Sequence, residues 1–150
     1  MRRRLLLVLG AGAAIRSAHA ASGWTLIDEA DVRRDRAVGP QGATRGVSAP
    51  GGPVIAVDKP SSEQGLPKPF AFRMRFIPPA DAAIDPATFH ATYGWLDLDI
   101  TARLLEHARL TAEGLSADDI NAPSGQHRVT ISIADTLGRK GSRTFRFTIA

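Results

Sequence analysis

A chain of 150 residues with no cysteine excludes disulfides, thiolate metal ligands, a thiol nucleophile and a lipid anchor on cysteine, so the fold must rest on its apolar core. Nineteen Lys and Arg against 15 Asp and Glu give a formal charge of +4. Four of those cations, Arg2, Arg3, Arg4 and Arg16, lie in the first twenty residues; without them the charges balance at 15 each, and the basic excess that would suggest a nucleic-acid partner disappears.

The chain opens with the basic run Met1-Arg2-Arg3-Arg4, followed by the apolar stretch Leu5 to Ala14 and then Ala18-His19-Ala20. This pattern reads as an export signal, residues 1–20, cut after Ala20, where a signal peptidase accepts small side chains. The apolar run falls short of the roughly 20 residues needed to span a bilayer. The expectation is a mature chain from Ala21, periplasmic or secreted, with no membrane span after cleavage and no lipid anchor. Its start, Ala21-Ser22-Gly23, offers no histidine for a copper site at the N-terminus.

Residues 21–52 are expected to form a short helix and a flexible linker. Trp24 to Arg36 carries Leu26, Ile27 and Val32 among many charges, and Glu29 and Arg33 are an i,i+4 pair of favourable polarity. Ala37 to Pro53 is rich in Gly, Pro, Ala and Ser, with too little apolar surface to offset chain entropy. A tethered segment with Trp24, Leu26 and Ile27 could dock on a partner. The alternative is that it lies across its own domain.

Residues 53–150 read as the folded domain. Pro53 to Val57 is β-branched and ends at Asp58-Lys59-Pro60, a first strand. In Phe70 to Ile77 the residues Phe70, Phe72, Met74 and Phe76 share one face while Arg73 and Arg75 take the other, the signature of a half-buried strand. Pro78-Pro79 stops it. Ile84-Asp85-Pro86-Ala87-Thr88 reads as a cap with proline at a first helical position, hence one helical turn. Phe89 to Tyr93, a turn at Gly94 and Leu96 to Ile100 then form a hairpin. Thr101 to Leu110 stays open between helix and strand, with a helical turn feeding a strand at Arg109 to Ala112 preferred. Val129, Ile131 and Ile133, a turn at Asp135 to Arg139, and Phe145, Phe147 and Ile149 make a terminal antiparallel hairpin. Short strands divided by Gly and Pro turns predict an all-β sandwich of about seven strands.

The tail from Pro123-Ser124-Gly125-Gln126-His127 through the Asp135 to Arg139 turn to Phe145-Arg146-Phe147-Thr148-Ile149 resembles the last two strands of bacterial immunoglobulin-like domains, and Ile84 to Phe89 resembles the entry to a middle strand of that group. One departure is Arg139, where asparagine usually follows the turn glycine. The whole chain is similar to small exported proteins of proteobacteria. The resemblance implies an immunoglobulin-like sandwich and no particular chemistry, since such modules serve as spacers, adhesins and binding platforms alike.

Candidate chemistry is sparse. Asp97, Asp99 and Asp135 would offer oxygen ligands for calcium if the hairpin and the last turn share an end of the sandwich. The competing reading is outward-facing strand aspartates and a turn former that caps backbone amides. His90, His107 and His127 show no ligand spacing, and His127 is expected to satisfy a backbone group. Trp95, beside Tyr93, is either an aromatic anchor for a partner or a plug over the sandwich end. No catalytic residue and no cofactor is expected. The sequence therefore predicts an exported, non-enzymatic immunoglobulin-like module for protein–protein interaction or envelope support, with an envelope protein as the expected partner and Trp24, Leu26, Ile27 and Trp95 as possible contacts; the alternative is a small-ligand or metal (calcium) carrier using the acidic loop end.

Overall fold

A computed structural model describes residues 23–40, 50–61 and 63–150; the expected export signal and most of the expected linker lie outside the described residues. In chain order the elements are β1 (Trp24–Thr25), α1 (Glu29–Val38), β2 (Val54–Lys59), β3 (Phe70–Ile77), β4 (Ile84–Tyr93), β5 (Leu98–Asp99), α2 (Thr101–Leu105), β6 (Ala108–Leu110), β7 (Gly114–Asn121), β8 (Gly125–Asp135) and β9 (Lys140–Ile149). Among the described residues nine strands stand where about seven were expected, and the surplus is the two-residue pieces β1 and β5.

The strands form two sheets. One runs β1-β7-β3-β2, with β6 also paired to β7; the other runs β5-β4-β8-β9. Because β6 pairs with Leu115 to Ala117 and β1 pairs in parallel with Ile120 and Asn121, the two lie end to end along one edge of β7. Alternation in β3 buries Phe70, Phe72, Met74 and Phe76, and alternation in β8 buries Val129, Ile131 and Ile133. The sheets meet face to face where the Phe72 ring packs edge-on against Phe145 at 5.5 Å and Phe147 at 5.7 Å, a favourable aromatic geometry. The all-β sandwich expected from the sequence is the fold of the chain.

Three elements depart from the sequence reading, each for a local reason. Residues 84–88 belong to the long strand β4, not to a helical turn. The turn chemistry is nonetheless there: the Asp85 carboxylate accepts the Ala87 amide hydrogen at 3.1 Å and the Thr88 hydroxyl donates to the Asp85 carbonyl at 2.6 Å. It is used inside an irregularity of the ladder with β8, between Asp85 and His90, where Pro86 costs no ladder bond. Strand β7 carried no clear signal, because Asp118-Asp119 looks like a turn. There the pairing with β3 shifts register, Asp119 takes a φ of 55°, and Ile120 returns to the core. Finally, α2 is a single helical turn that leads into β6, slightly earlier than expected.

The segment before the linker is part of the body. Leu26 and Ile27 are fully buried and Val32 is 5% exposed, all within the common core. The Leu26 amide donates to the Asn121 carbonyl at 3.1 Å, extending β1 along β7. A reciprocal cap starts α1: the Asp28 carboxylate accepts from the Asp31 amide at 2.8 Å and the Asp31 carboxylate accepts from the Asp28 amide at 3.2 Å. The helix runs to Val38, so the expected linker begins later than Ala37. The expectation that Leu26 and Ile27 contact a partner is corrected by this burial, and the segment lies across its own domain. Leu26→Ala is expected to lower the unfolding free energy by about 2–5 kcal/mol, as for other buried leucines; urea denaturation of the two forms measures it, and an unchanged midpoint would contradict the packing described.

Candidate functional site at the Trp95 groove

Helix α1 reaches one end of the sandwich through two aspartates a turn apart, which therefore lie on one face. The Arg103 guanidinium donates to the Asp31 carboxylate at 2.6 Å and, from the same nitrogen, to the Leu26 carbonyl at 2.7 Å. One turn later Asp35 Oδ1 accepts the backbone N–H groups of Trp95 and Leu96, the latter at 3.0 Å. Gly94 makes this approach possible. Its φ is 75°, and a Cβ there would stand 2.2 Å from the Asp35 carboxylate.

Between α1 and the β4–β5 turn lies a groove of about 620 Å³, lined by Asp35, Arg36, Tyr93, Trp95, His127, Arg128 and Arg146 among others. Its volume falls within the range typical of ligand pockets. The Arg128 guanidinium stacks over the Trp95 ring, 4.3 Å from its centroid, with Arg146 at 5.9 Å. Arg128 Nη1 donates to the Gly94 carbonyl at 3.3 Å, whereas its Nε is the one buried side-chain nitrogen or oxygen without a partner among the described residues. Arg34, Arg73, Arg75, Arg103 and Arg139 each stand within ion-pair distance of a carboxylate. Among the described residues, Arg33, Arg36, Arg109, Arg128, Arg143 and Arg146 do not, and three of these, Arg36, Arg128 and Arg146, share the groove.

Beneath the groove a buried polar pair is fully defined. The Pro123 carbonyl can only accept, so His127 Nε2, 2.7 Å away, carries the proton and Nδ1 accepts from the Tyr93 hydroxyl at 3.0 Å. Burial, with the Asp35 charge as a lesser cause, pushes the Tyr93 phenol up to about 12, which keeps this donor protonated. Burial lowers the His127 pKa, outweighing the bond to Pro123, and the nearby charges of Arg36 and Lys68 act in the same direction. The backbone role expected for His127 is the one it has.

The remaining candidates are dispersed. Asp135 is at the far end of β4, opposite Ile84, while Asp99 pairs with Thr92, so the two ends lie on the order of 20 Å apart at about 3.3 Å per residue. The shared loop end required for calcium does not form. Asp135 Oδ1 accepts from the amides of Leu137 and Arg139, both at 2.9 Å, and Oδ2 from Arg139 Nε at 2.7 Å. Burial pushes its carboxyl up, but the bonds from Arg139 and Leu137 outweigh that and hold it below the usual carboxylate range. Arg139 thus locks the turn and also reaches Asp81 at 2.6 Å. Asp99 accepts from Thr101 and stands 3.4 Å from His90, and Asp97 accepts from the Thr92 hydroxyl at 3.4 Å. Among the described residues no three His, Asp or Glu gather as a metal site. Trp24 stays on its own domain, stacked on His107 at 4.4 Å with its indole N–H on the Asp118 carbonyl at 2.8 Å. Trp95 is half-buried and forms a wall of the groove.

Sequence reasoning singled out Trp95 but not Asp35, Arg36, Arg128 or Arg146. Part of the signal was available, since the terminal hairpin places Arg128 directly opposite Arg146.

No family model and no curated protein matches the chain. Among solved structures it is similar to the crystal structure of CopC from Methylosinus trichosporium OB3b, at 14% identity and a TM-score of 0.45, over 65% of this chain and 92% of that one.

The lowered His127 pKa fixes a pH dependence. The unfolded chain binds a proton at this histidine near pH 6.5 and the folded chain only at lower pH, so its contribution to stability is complete above about 6.5 and declines as pH falls below it. The carboxylates of Asp99 and Asp135 are held below their ordinary range and change protonation only at pH lower than this window. Urea midpoints between pH 7 and 5 are expected to fall for the wild type and to flatten in His127→Gln; equal slopes in both would contradict the burial of a neutral imidazole.

Proposed function

We propose that the chain is an exported, non-enzymatic immunoglobulin-like module, working in the periplasm or outside the cell, that contacts an envelope protein through the groove around Trp95. The observation that carries this reading is the combination found there: an aromatic wall, a concave surface and guanidinium groups with no carboxylate partner among the described residues. Tryptophan and arginine are the residue types most often found to dominate binding energy at protein interfaces. A role in catalysis lacks comparable support. Both ring nitrogens of His127 are engaged in structural bonds, His107 stacks on Trp24, and His90 stands beside Asp99. The carrier alternative through Asp97, Asp99 and Asp135 is weakened by their separation and by the occupied oxygens of Asp135.

Site-specific photo-crosslinking in envelope extract tests the proposal. A crosslinker at Gln126, exposed in the groove lining, is expected to give a discrete protein adduct, whereas one at Leu137, 63% exposed at the opposite end of the sandwich, is expected to give none. Adducts from Leu137 alone, or from both positions equally, would place the contact elsewhere.

A further inference from the structure

Charge in the groove is distributed unusually for an unoccupied surface. Arg128 and Arg146 are direct cross-strand partners on the outer face of the β8–β9 hairpin, a placement in which like charges repel. The next outward pair, Thr130 and Thr144, instead satisfies itself with a hydroxyl–hydroxyl bond of 2.8 Å. Arg36 adds a third guanidinium from α1. Two carboxylates also line the groove, Asp35 and Glu63, and neither stands within ion-pair distance of these arginines. Asp35 is already committed to the Trp95 and Leu96 amides. The Arg128 guanidinium carbon sits over the Trp95 ring, and the bond to Gly94 fixes one end of the fork, leaving the remaining terminal N–H groups without a protein acceptor among the described residues.

We infer that this groove recognises carboxylates, supplied by an acidic stretch of a partner polypeptide. The inference rests on the proposed function above and gives the partner its chemistry. A carboxylate matches the planar fork of a guanidinium through two parallel hydrogen bonds, which a lone cationic amine cannot offer. An acidic segment lying along the groove relieves the repulsion between Arg128 and Arg146 and meets Arg36 on the facing wall. The volume, about 620 Å³, admits a few side chains, and Gln126 and Thr148, also in the lining, present amide and hydroxyl groups suited to a peptide backbone.

The test is fluorescence anisotropy with labelled hexaglutamate, and with hexaglutamine and hexalysine as controls. Hexaglutamate is expected to bind the intact mature chain, to weaken steeply as salt is raised, and to lose about tenfold in affinity in Arg146→Gln. Arg146 is exposed, so this variant is expected to keep the wild-type melting temperature; Arg128→Lys, which retains the charge without the fork, is expected to weaken binding to a lesser degree. Arg109→Ala, an exposed arginine on β6 and also without a carboxylate partner, is expected to leave affinity unchanged. Absence of hexaglutamate binding, or equal loss in Arg109→Ala, would overturn the inference. Inorganic phosphate displacing the peptide at equal concentration of charge, with the same dependence on Arg146, would overturn the peptide as the source of the anion. Failure of the two readings is separable: a crosslinked partner at Gln126 with no hexaglutamate binding removes the acidic chemistry and keeps the contact. Hexaglutamate binding with no adduct at Gln126 keeps the chemistry and removes the envelope partner.

Discussion

The arrangement of this protein turns on one carboxylate. Asp35 accepts the backbone hydrogens of Trp95 and Leu96, and through them ties helix α1 to the turn that joins β4 to β5. An ionised acceptor serving two amides is a strong hydrogen-bonding arrangement, and it fixes the geometry on both sides. Gly94 cannot carry a side chain because the carboxylate occupies that space. Trp95 is turned so that its ring lies under Arg128. The N-terminal segment, held at its other end by Leu26 and Ile27 in the core and by Asp31 on Arg103, becomes one wall of the groove.

Two kinds of polar arrangement follow, and they serve different ends. Asp135 with Arg139, and His127 with Tyr93 and Pro123, are closed: each buried donor or acceptor meets a partner, and their effect is to fix a turn and a strand entry. The groove arginines form an open arrangement, with more donors than the fold supplies acceptors. An imbalance of that sort contributes nothing to stability and sets up recognition. The closed groups take up Asp135 and His127, two of the residues that suggest chemistry in the sequence; the open group consists of arginines that the sequence did not single out.

Much of the sandwich was legible because alternation is a strong signal where one face is buried. Phe70 to Phe76 and Val129 to Ile133 announced their strands through it, and the Asp135 to Arg139 turn fixed the register of the terminal hairpin. Where a bulge interrupts period two, legibility failed. Asp85-Pro86 in β4 carries true turn chemistry and Asp119 in β7 takes a positive φ, but both lie inside a ladder whose far residues return to register. The candidate site was harder, since Asp35 reaches Trp95 across 60 residues and nothing local announces that contact. Trp24, Leu26 and Ile27 read in the sequence as a segment able either to dock on a partner or to lie across its own domain, and the apolar surface they carry fits both. That surface is the strip of core and sheet edge that the segment supplies to its own domain.

The central claim is that Asp35 seats α1 and so builds the groove. Amide hydrogen exchange at Trp95 and Leu96 tests it most directly. In the wild type both amides are expected to exchange slowly, and in Asp35→Ala at least about tenfold faster, with Ile131 in the middle of β8 unchanged. Equal exchange at Trp95 and Leu96 in the two proteins would show that the carboxylate does not hold the turn, and the account of the groove would fall with it.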